Sequence, residues 1–274
     1  MSPQGRSASA ERNGQVTPLA VVHIPHSATE IPAEIRPRLA LSDAELRDEL
    51  LAMTDRYTDE LFALPDRVAT LITFPVSRLV VDPERFVDDA QEMMATRGMG
   101  VVYTRTSRGR MLRRDLTAEE RAQLLSRYYR PHHEHLSRAV SAALEAHGRC
   151  LVIDAHSFPS SPLPYEDDQR ASRPEICLGT DPEHTPQWLR AAALRGIRAE
   201  GLQVEVDRPF AGAMVPADRY RSDLRVWSVM IEVRRDLYMD EATGDRTPSF
   251  PRLGAAIGRI LRALVDEASA RPAS

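Results

Sequence analysis

The 274-residue sequence contains no lysine; its 36 basic residues are all arginine. That excludes a lysine Schiff base, a P-loop lysine and a lysine general base, and a genomic bias toward arginine codons accounts for it. Cysteine is nearly as scarce. Cys150 and Cys177 both sit inside apolar runs, which predicts buried thiols and argues against a disulfide framework. No apolar stretch approaches the ~18–20 residues needed to cross a bilayer, so no membrane partner is expected. The opening "MSPQGRSASAERNGQVTP" lacks the apolar middle of a signal peptide. It reads as a disordered leader over 1–17, with the cytoplasm as the expected compartment. Positive charge is not in excess either. A formal net charge of -4 supplies no field for a nucleic-acid partner.

What remains is an ordinary globular composition, 42% apolar and 28% charged. The runs "LAVVHI", "VATLITF", "RLVV", "CLVID", "EICLG", "LQVEV" and "WSVMIEV" are short, rich in Val, Ile and Leu, and bounded by Pro, Gly or Asp, as buried strands are. Helical patterns lie between them. Ser42 and Glu45 form a capping signature that opens a helix over 43–64, with Leu46, Leu50, Met53, Tyr57 and Leu61 on one face. Thr117 and Glu120 repeat the signature, and Pro131 is expected to kink or end that helix. The next helical stretch stops at Gly148. The last presents Leu253, Ile257, Ile260, Leu261, Leu264 and Val265 on one face. This alternation predicts an α/β fold: a single three-layer α/β/α domain over 18–268 with a mixed, mostly parallel central sheet, and a tail over 269–274. The irregular stretch "SFPSSPLPYEDDQRASRP" has the length of a functional or mobile loop.

Two strand runs end in the same pair of residues, His26-Ser27 and His156-Ser157. In open α/β sheets ligands bind beyond the carboxyl ends of the strands, so both histidines are candidates for one site. Glu232 lies in "WSVMIEV", where a buried carboxylate needs a partner or a role. Imidazoles with a carboxylate suit zinc, and Asp154 stands where it can orient His156 from behind. One histidine at a strand exit is ordinarily a satisfied polar residue; two exits and a buried glutamate point further. A serine nucleophile is disfavoured, because neighbours on an extended chain face opposite ways and G-x-S-x-G is absent. On the helix 43–64, Asp55 lies opposite the main apolar face but beside Leu51, Thr58 and Phe62, which suggests an inward carboxylate; Asp59 is its rival. Arg78, Asp82 and Arg85 surround "LVVDPE". A guanidinium there can clamp a substrate carboxylate or pair with the aspartate, the second reading being stronger for Arg85. Among His132, His133 and His135, His133 shares a stripe with Leu136 and Val140 and is the one expected to be buried.

Taken in order, "HIPHSATEIP", "MTDRYTDELF", "FPVSRLVVDPERF", "YYRPHHEHL", "VIDAHSF", "DRPFAG" and "IEVRRDLYMDE" resemble the N-formylglutamate amidohydrolase family over about residues 20–242. The resemblance implies a fold related to zinc carboxypeptidases and aspartoacylases, with one catalytic Zn2+ held by His26, Asp55 and His156. It implies Glu232 as general base, and Arg78 and Arg85 as contacts to a substrate carboxylate, with His133 nearby. The expected partner is a small N-acyl amino acid such as N-formylglutamate. The sequence departs from the family pattern at Glu84, where Asn is frequent, at His132, and at Ala211 and Ala213 in a turn that is often Lys-Gly-Gly-like. Metal chemistry therefore transfers more directly than substrate identity. Two other readings are a binding or regulatory protein that kept the fold without its metal, and a carboxypeptidase-like hydrolase of another amide. Metal content separates the first from an enzyme.

Overall fold

A computed structural model describes residues 17–272; almost all of the expected leader and the end of the tail lie outside the described residues. Six strands form one sheet: β1 (Ala20–Ile24), β2 (Ala69–Thr73), β3 (Cys150–Phe158), β4 (Ile176–Gly179), β5 (Val204–Val206) and β6 (Val226–Arg234). Their order is β2-β1-β3-β6-β4-β5. All neighbours are parallel except β4 and β6, so the sheet is mixed and mostly parallel, as the alternation of elements predicts.

Side chains two apart on a strand share a face, and here each face meets its own helices. Val22 and Ile24 of β1 and Leu151 and Ile153 of β3 join one core with α5 (Gln187–Ala199) and α6 (Phe250–Ser269). Val21, Cys150 and Val152 face α4 (Arg130–His147) through Leu136, Val140 and Leu144. Both thiols are buried and free. Helix α6 carries Gly254 and Gly258, each costing about 1 kcal/mol in a helix interior. It buries Leu253, Ile257, Ile260, Leu261 and Leu264, worth about 1.5–3 kcal/mol apiece. The apolar face wins.

Three local expectations are corrected. "RLVV" is not a strand: Val80 N–H donates to Ser77 O at 2.8 Å in a turn. Leu79, Val80 and Val81 are buried, but Val80 and Val81 fill a satellite core with Phe74, Val101 and Leu124 rather than pairing in the sheet. The helix over 43–64 breaks in two, α1 (Asp43–Met53) and α2 (Thr58–Leu61). Thr54 turns extended, Tyr57 takes φ 67°, and Asp55 N–H leaves the helical ladder for His26 O at 2.9 Å. Third, Pro131 does not end its helix. Helix α3 (Ala118–Leu124) continues through a π-turn over Leu125–Tyr129 into α4, and Pro131 directly follows that π-turn, an irregularity of the ladder of the kind that accommodates an interior proline. His132 is then the residue that lies one and two turns before Leu136 and Val140. It is buried, while His133 is only half-buried. The capping boxes at Ser42 and Thr117 form as expected, and Gly148 ends α4 in the left-handed conformation.

Candidate active site

The parallel registers bring the chemistry together. His23 on β1 pairs with Asp154 on β3, and His156 on β3 pairs with Glu232 on β6. Because Asp154 and His156 are two apart, all four side chains face the same way at the carboxyl end of the sheet. His26 stands just beyond β1. Asp55 is carried to it by the break between α1 and α2, whose backbone bond to His26 O explains why an aspartate after a surface helix is buried. Asp59, its rival, is exposed.

The electrostatics start at Asp82, which is fully buried. It accepts from Arg78 Nη2 at 2.7 Å and Nε at 3.1 Å, from Glu84 N–H at 2.9 Å and from the Tyr103 hydroxyl. Burial opposes the charge of Asp82, but Arg78 and His26 outweigh burial and hold the carboxyl well below the usual range. His26 Nε2 lies 2.9 Å from Asp82 Oδ1. An ionised acceptor there puts the His26 hydrogen on Nε2 and leaves Nδ1 as a bare lone pair. That buried Nδ1 has no hydrogen-bond partner.

Asp55 Oδ2 is 3.7 Å from His26 Nδ1 and 3.1 Å from His156 Nδ1. Its Oδ1 accepts from Arg235 Nη2 at 2.9 Å. Burial raises the proton affinity of Asp55, yet His156 and Arg235 together hold it well below the ordinary value. A tetrahedral zinc with bonds of about 2.0–2.1 Å separates its ligand atoms by roughly 3.3 Å, a spacing that these two distances bracket. The two separations from Asp55 are thus of the size such an ion sets between its ligands, and the orphaned lone pair of His26 is of the right chemistry to bind one. A second carboxylate competes for the same place. Glu84 Oε2 is 3.8 Å from His26 Nδ1 and 3.2 Å from His156 Nε2, and His26, Glu84 and His156 bring ligand atoms within 4.8 Å of one another. Asp154 Oδ1, 3.2 Å from His156 Nε2, stands where the sequence expects an orienting acceptor.

Glu232 opens onto the same space. Burial pushes its carboxyl up to about 8; His156 pulls the other way, and the Asp55 and Glu84 carboxylates add to the rise. Ser157 is no nucleophile partner for His156, since its hydroxyl accepts from Arg235 Nε at 3.1 Å. The two arginines behave opposite to the sequence reading. Arg78 makes the tight pair with Asp82, whereas Arg85 Nε is 3.9 Å from Asp82 Oδ2, and that buried nitrogen has no hydrogen-bond partner. His133 lines the cavity with Nε2 2.8 Å from Pro83 O, and burial lowers its pKa, which keeps it neutral. Sequence reasoning missed His23, which is fully buried between Asp154 Oδ1 and His132 Nε2 at 2.9 Å each. It also missed Arg235 and Tyr103. Only a count of buried polar groups in "AVVHI" could have flagged His23.

His26, Asp55, Glu84, Arg85, His156 and Glu232 line a cavity of about 730 Å³. A profile of the N-formylglutamate amidohydrolase family matches residues 19–239. The chain belongs to the N-formylglutamate amidohydrolase family. It is similar to a solved N-formylglutamate amidohydrolase from Ralstonia eutropha JMP134, at 25% identity and TM-score 0.78, over 92% of this chain and 94% of that one. It is 28% identical over 178 residues to an N-formylglutamate deformylase of Pseudomonas putida, a match spanning 63% of this chain and 65% of that relative, just under two thirds of its length. A solved protein of Agrobacterium tumefaciens shares the fold at TM-score 0.66 and 22% identity, with 92% of each chain covered. Family membership and the mixed α/β fold thus agree with the ordered motifs, and the strand-exit histidines lie inside the matched region.

Proposed function

We propose that this chain is a metal-dependent amidohydrolase that cleaves the amide bond of an N-acyl amino acid, of which the family's N-formylglutamate is the example. The observation that supports it most directly is the convergence of His26, Asp55 and His156 beside Glu232 in one cavity. In this reading His26 Nδ1, His156 Nδ1 and Asp55 Oδ2 hold one Zn2+. Asp82 and Asp154 orient the imidazoles from behind, and Arg235 steadies Asp55. Bound there, zinc supplies Lewis acidity and lowers the pKa of water toward ~7.

The protein's own groups do the rest. Glu232, whose carboxylate opens onto the cavity beside His156, takes a proton from the attacking water as its oxygen bonds to the amide carbon. It returns that proton to the nitrogen as the C–N bond breaks. The products are the free amino acid and the acyl acid, formate for a formyl substrate. Arg85, a charged guanidinium without a hydrogen bond, binds the substrate carboxylate and fixes the amide relative to Glu232. His133, neutral and donating Nε2–H to Pro83 O, borders the same space with its Nδ1 lone pair as an acceptor for bound substrate.

The test is release of acid from N-formyl and N-acetyl amino acids by the zinc-loaded protein, beside Glu232→Gln. The variant keeps the shape of the side chain but not its basicity, so zinc content should survive while turnover falls by ~10²-fold or more. Near-normal turnover with zinc bound would exclude Glu232 as the base.

A further inference from the structure

The cavity's charges are unevenly spent, and its walls are unevenly polar. Three guanidinium groups reach it: Arg78, Arg85 and Arg235. Arg78 commits Nε and Nη2 to Asp82. Arg235 commits its nitrogens to Ser157, the Ala52 carbonyl and Asp55. Among the described residues, Arg85 alone of the three makes no side-chain hydrogen bond, and its buried Nε has no partner. Beyond its 3.9 Å approach to Asp82, Arg85 is the guanidinium of the three left to hold one substrate carboxylate.

The segment Phe210-Ala211-Gly212-Ala213-Met214-Val215 also lines the cavity, with no charged side chain, and Phe158, Leu163 and Met230 extend its apolar surface. Phe158 and Phe210 pack edge to face at 6.0 Å. Toward solvent, Phe86 and Tyr220 also line the cavity and are 60% and 39% exposed. Exposed aromatics beside a concave apolar wall mark a place where apolar ligand atoms are received. A second carboxylate on the substrate would meet this wall, or else Glu84 and Glu232, with no free cation to offset its desolvation. At about 730 Å³ the cavity is also in the upper part of the roughly 300–1,000 Å³ range that accepts drug-sized ligands, which leaves room beyond a formyl group and a short acidic side chain.

We propose that the site takes N-acyl amino acids with a single carboxylate, held by Arg85, and one apolar group of ring or short-alkyl size laid against residues 210–215. The proposal rests on the amidohydrolase reading above and names the substrate class for that site. The experiment is a kcat/KM panel on the zinc-loaded full chain: N-formylphenylalanine, N-formylleucine, N-hexanoylglycine and N-formylglutamate. At least one apolar compound should exceed N-formylglutamate by about tenfold or more, the scale of discrimination expected from a few buried methylenes. Preference for N-formylphenylalanine over N-hexanoylglycine puts the apolar group on the amino-acid side, and the reverse order puts it on the acyl side; either supports the proposal. If N-formylglutamate is cleaved as fast as the best apolar compound, the substrate class is wrong while the amidohydrolase reading stands. If none of the four is cleaved, that reading fails and takes the proposal with it. Met214→Lys, which sets a cation in the wall, should shift the ratio toward N-formylglutamate by about tenfold. An unmoved ratio in a variant with native circular dichroism and zinc content counts against the wall as the binding surface.

Discussion

At the scale of single residues, the proposed site separates side chains that would hold an ion from those that orient them. Asp55 presents one oxygen to Arg235 and the other to both histidines, whereas among the described residues no arginine pairs with Glu84, which is partly exposed. Asp55→Asn should therefore strip zinc, and Glu84→Gln should leave most of it, as measured by metal analysis after dialysis; the opposite outcome would move the third ligand to Glu84. The arginines separate in the same way. Arg85→Ala should cost ~1.5–3 kcal/mol in kcat/KM for a substrate with a free carboxylate and little for its amidated analogue, the range for a charge-assisted hydrogen bond. Arg78→Ala instead leaves Asp82 buried without its main partner, a loss of ~3–5 kcal/mol in folding stability, readable as a lower urea midpoint. Equal effects of the two variants on stability would contradict this division. His26, His156 and Glu232 were legible in the sequence because a polar residue at the exit of an apolar run, or inside it, has no packing reason to be there. Arg235 and His23 were not. Their meaning lies in contacts to Asp55 and Asp154 across 180 and 131 residues, and no local pattern encodes a pairing of that reach.

At the scale of elements, periodicity read existence better than continuity. The apolar spacing from Leu46 to Leu61 is helical throughout, but the backbone bond of Asp55 to His26 O breaks the helix there. Asp55 is buried beside His26 and His156, as the wheel suggests, but through a break that the wheel does not contain. "RLVV" misled for a related reason: composition reports burial, and here burial comes from a loop core. The capping signatures were decisive, since both halves of each box are local. Ser42→Ala and Thr117→Ala should each lower stability by ~1 kcal/mol, seen in denaturant melts. Backbone and side-chain bonds to Ser42 and the Arg110 contact bring Glu45 down to about 2, and Arg114 with Thr117 does the same for Glu120. Both folded values lie below the ordinary glutamate value of 4.5. Each contribution is therefore complete above that value and is lost as pH falls from it toward 2. The acid limb of the stability curve should flatten in Glu45→Gln, and an unchanged limb would exclude the box as its source.

At the scale of the whole molecule, the site is the place where separate parts of the chain meet. His26 follows β1, Asp55 sits between α1 and α2, His156 is on β3 and Glu232 on β6, while Asp82 comes from the turn whose apolar residues fill the satellite core. The order of the sheet, with β1, β3 and β6 adjacent, was not readable, because hydrophobic runs specify strands and not their neighbours. Its consequence is that an ion bound by His26, Asp55 and His156 ties three distant segments and binds the folded state alone. Such a ligand stabilises by about 2.7 kcal/mol at a hundredfold excess over its Kd. For a chain of this size each kcal/mol moves the midpoint by about 2–4 °C. Stripping the protein with a chelator and restoring zinc should therefore raise Tm by roughly 5–10 °C in scanning calorimetry. His26→Ala and His156→Ala should melt at the same temperature with and without zinc. Glu232→Gln, which touches the proton and not the ligands, should keep the full shift. If zinc moves the midpoint of His26→Ala as far as that of the unmodified protein, the ion binds elsewhere, and the tie between β1, β3 and the α1–α2 break is lost.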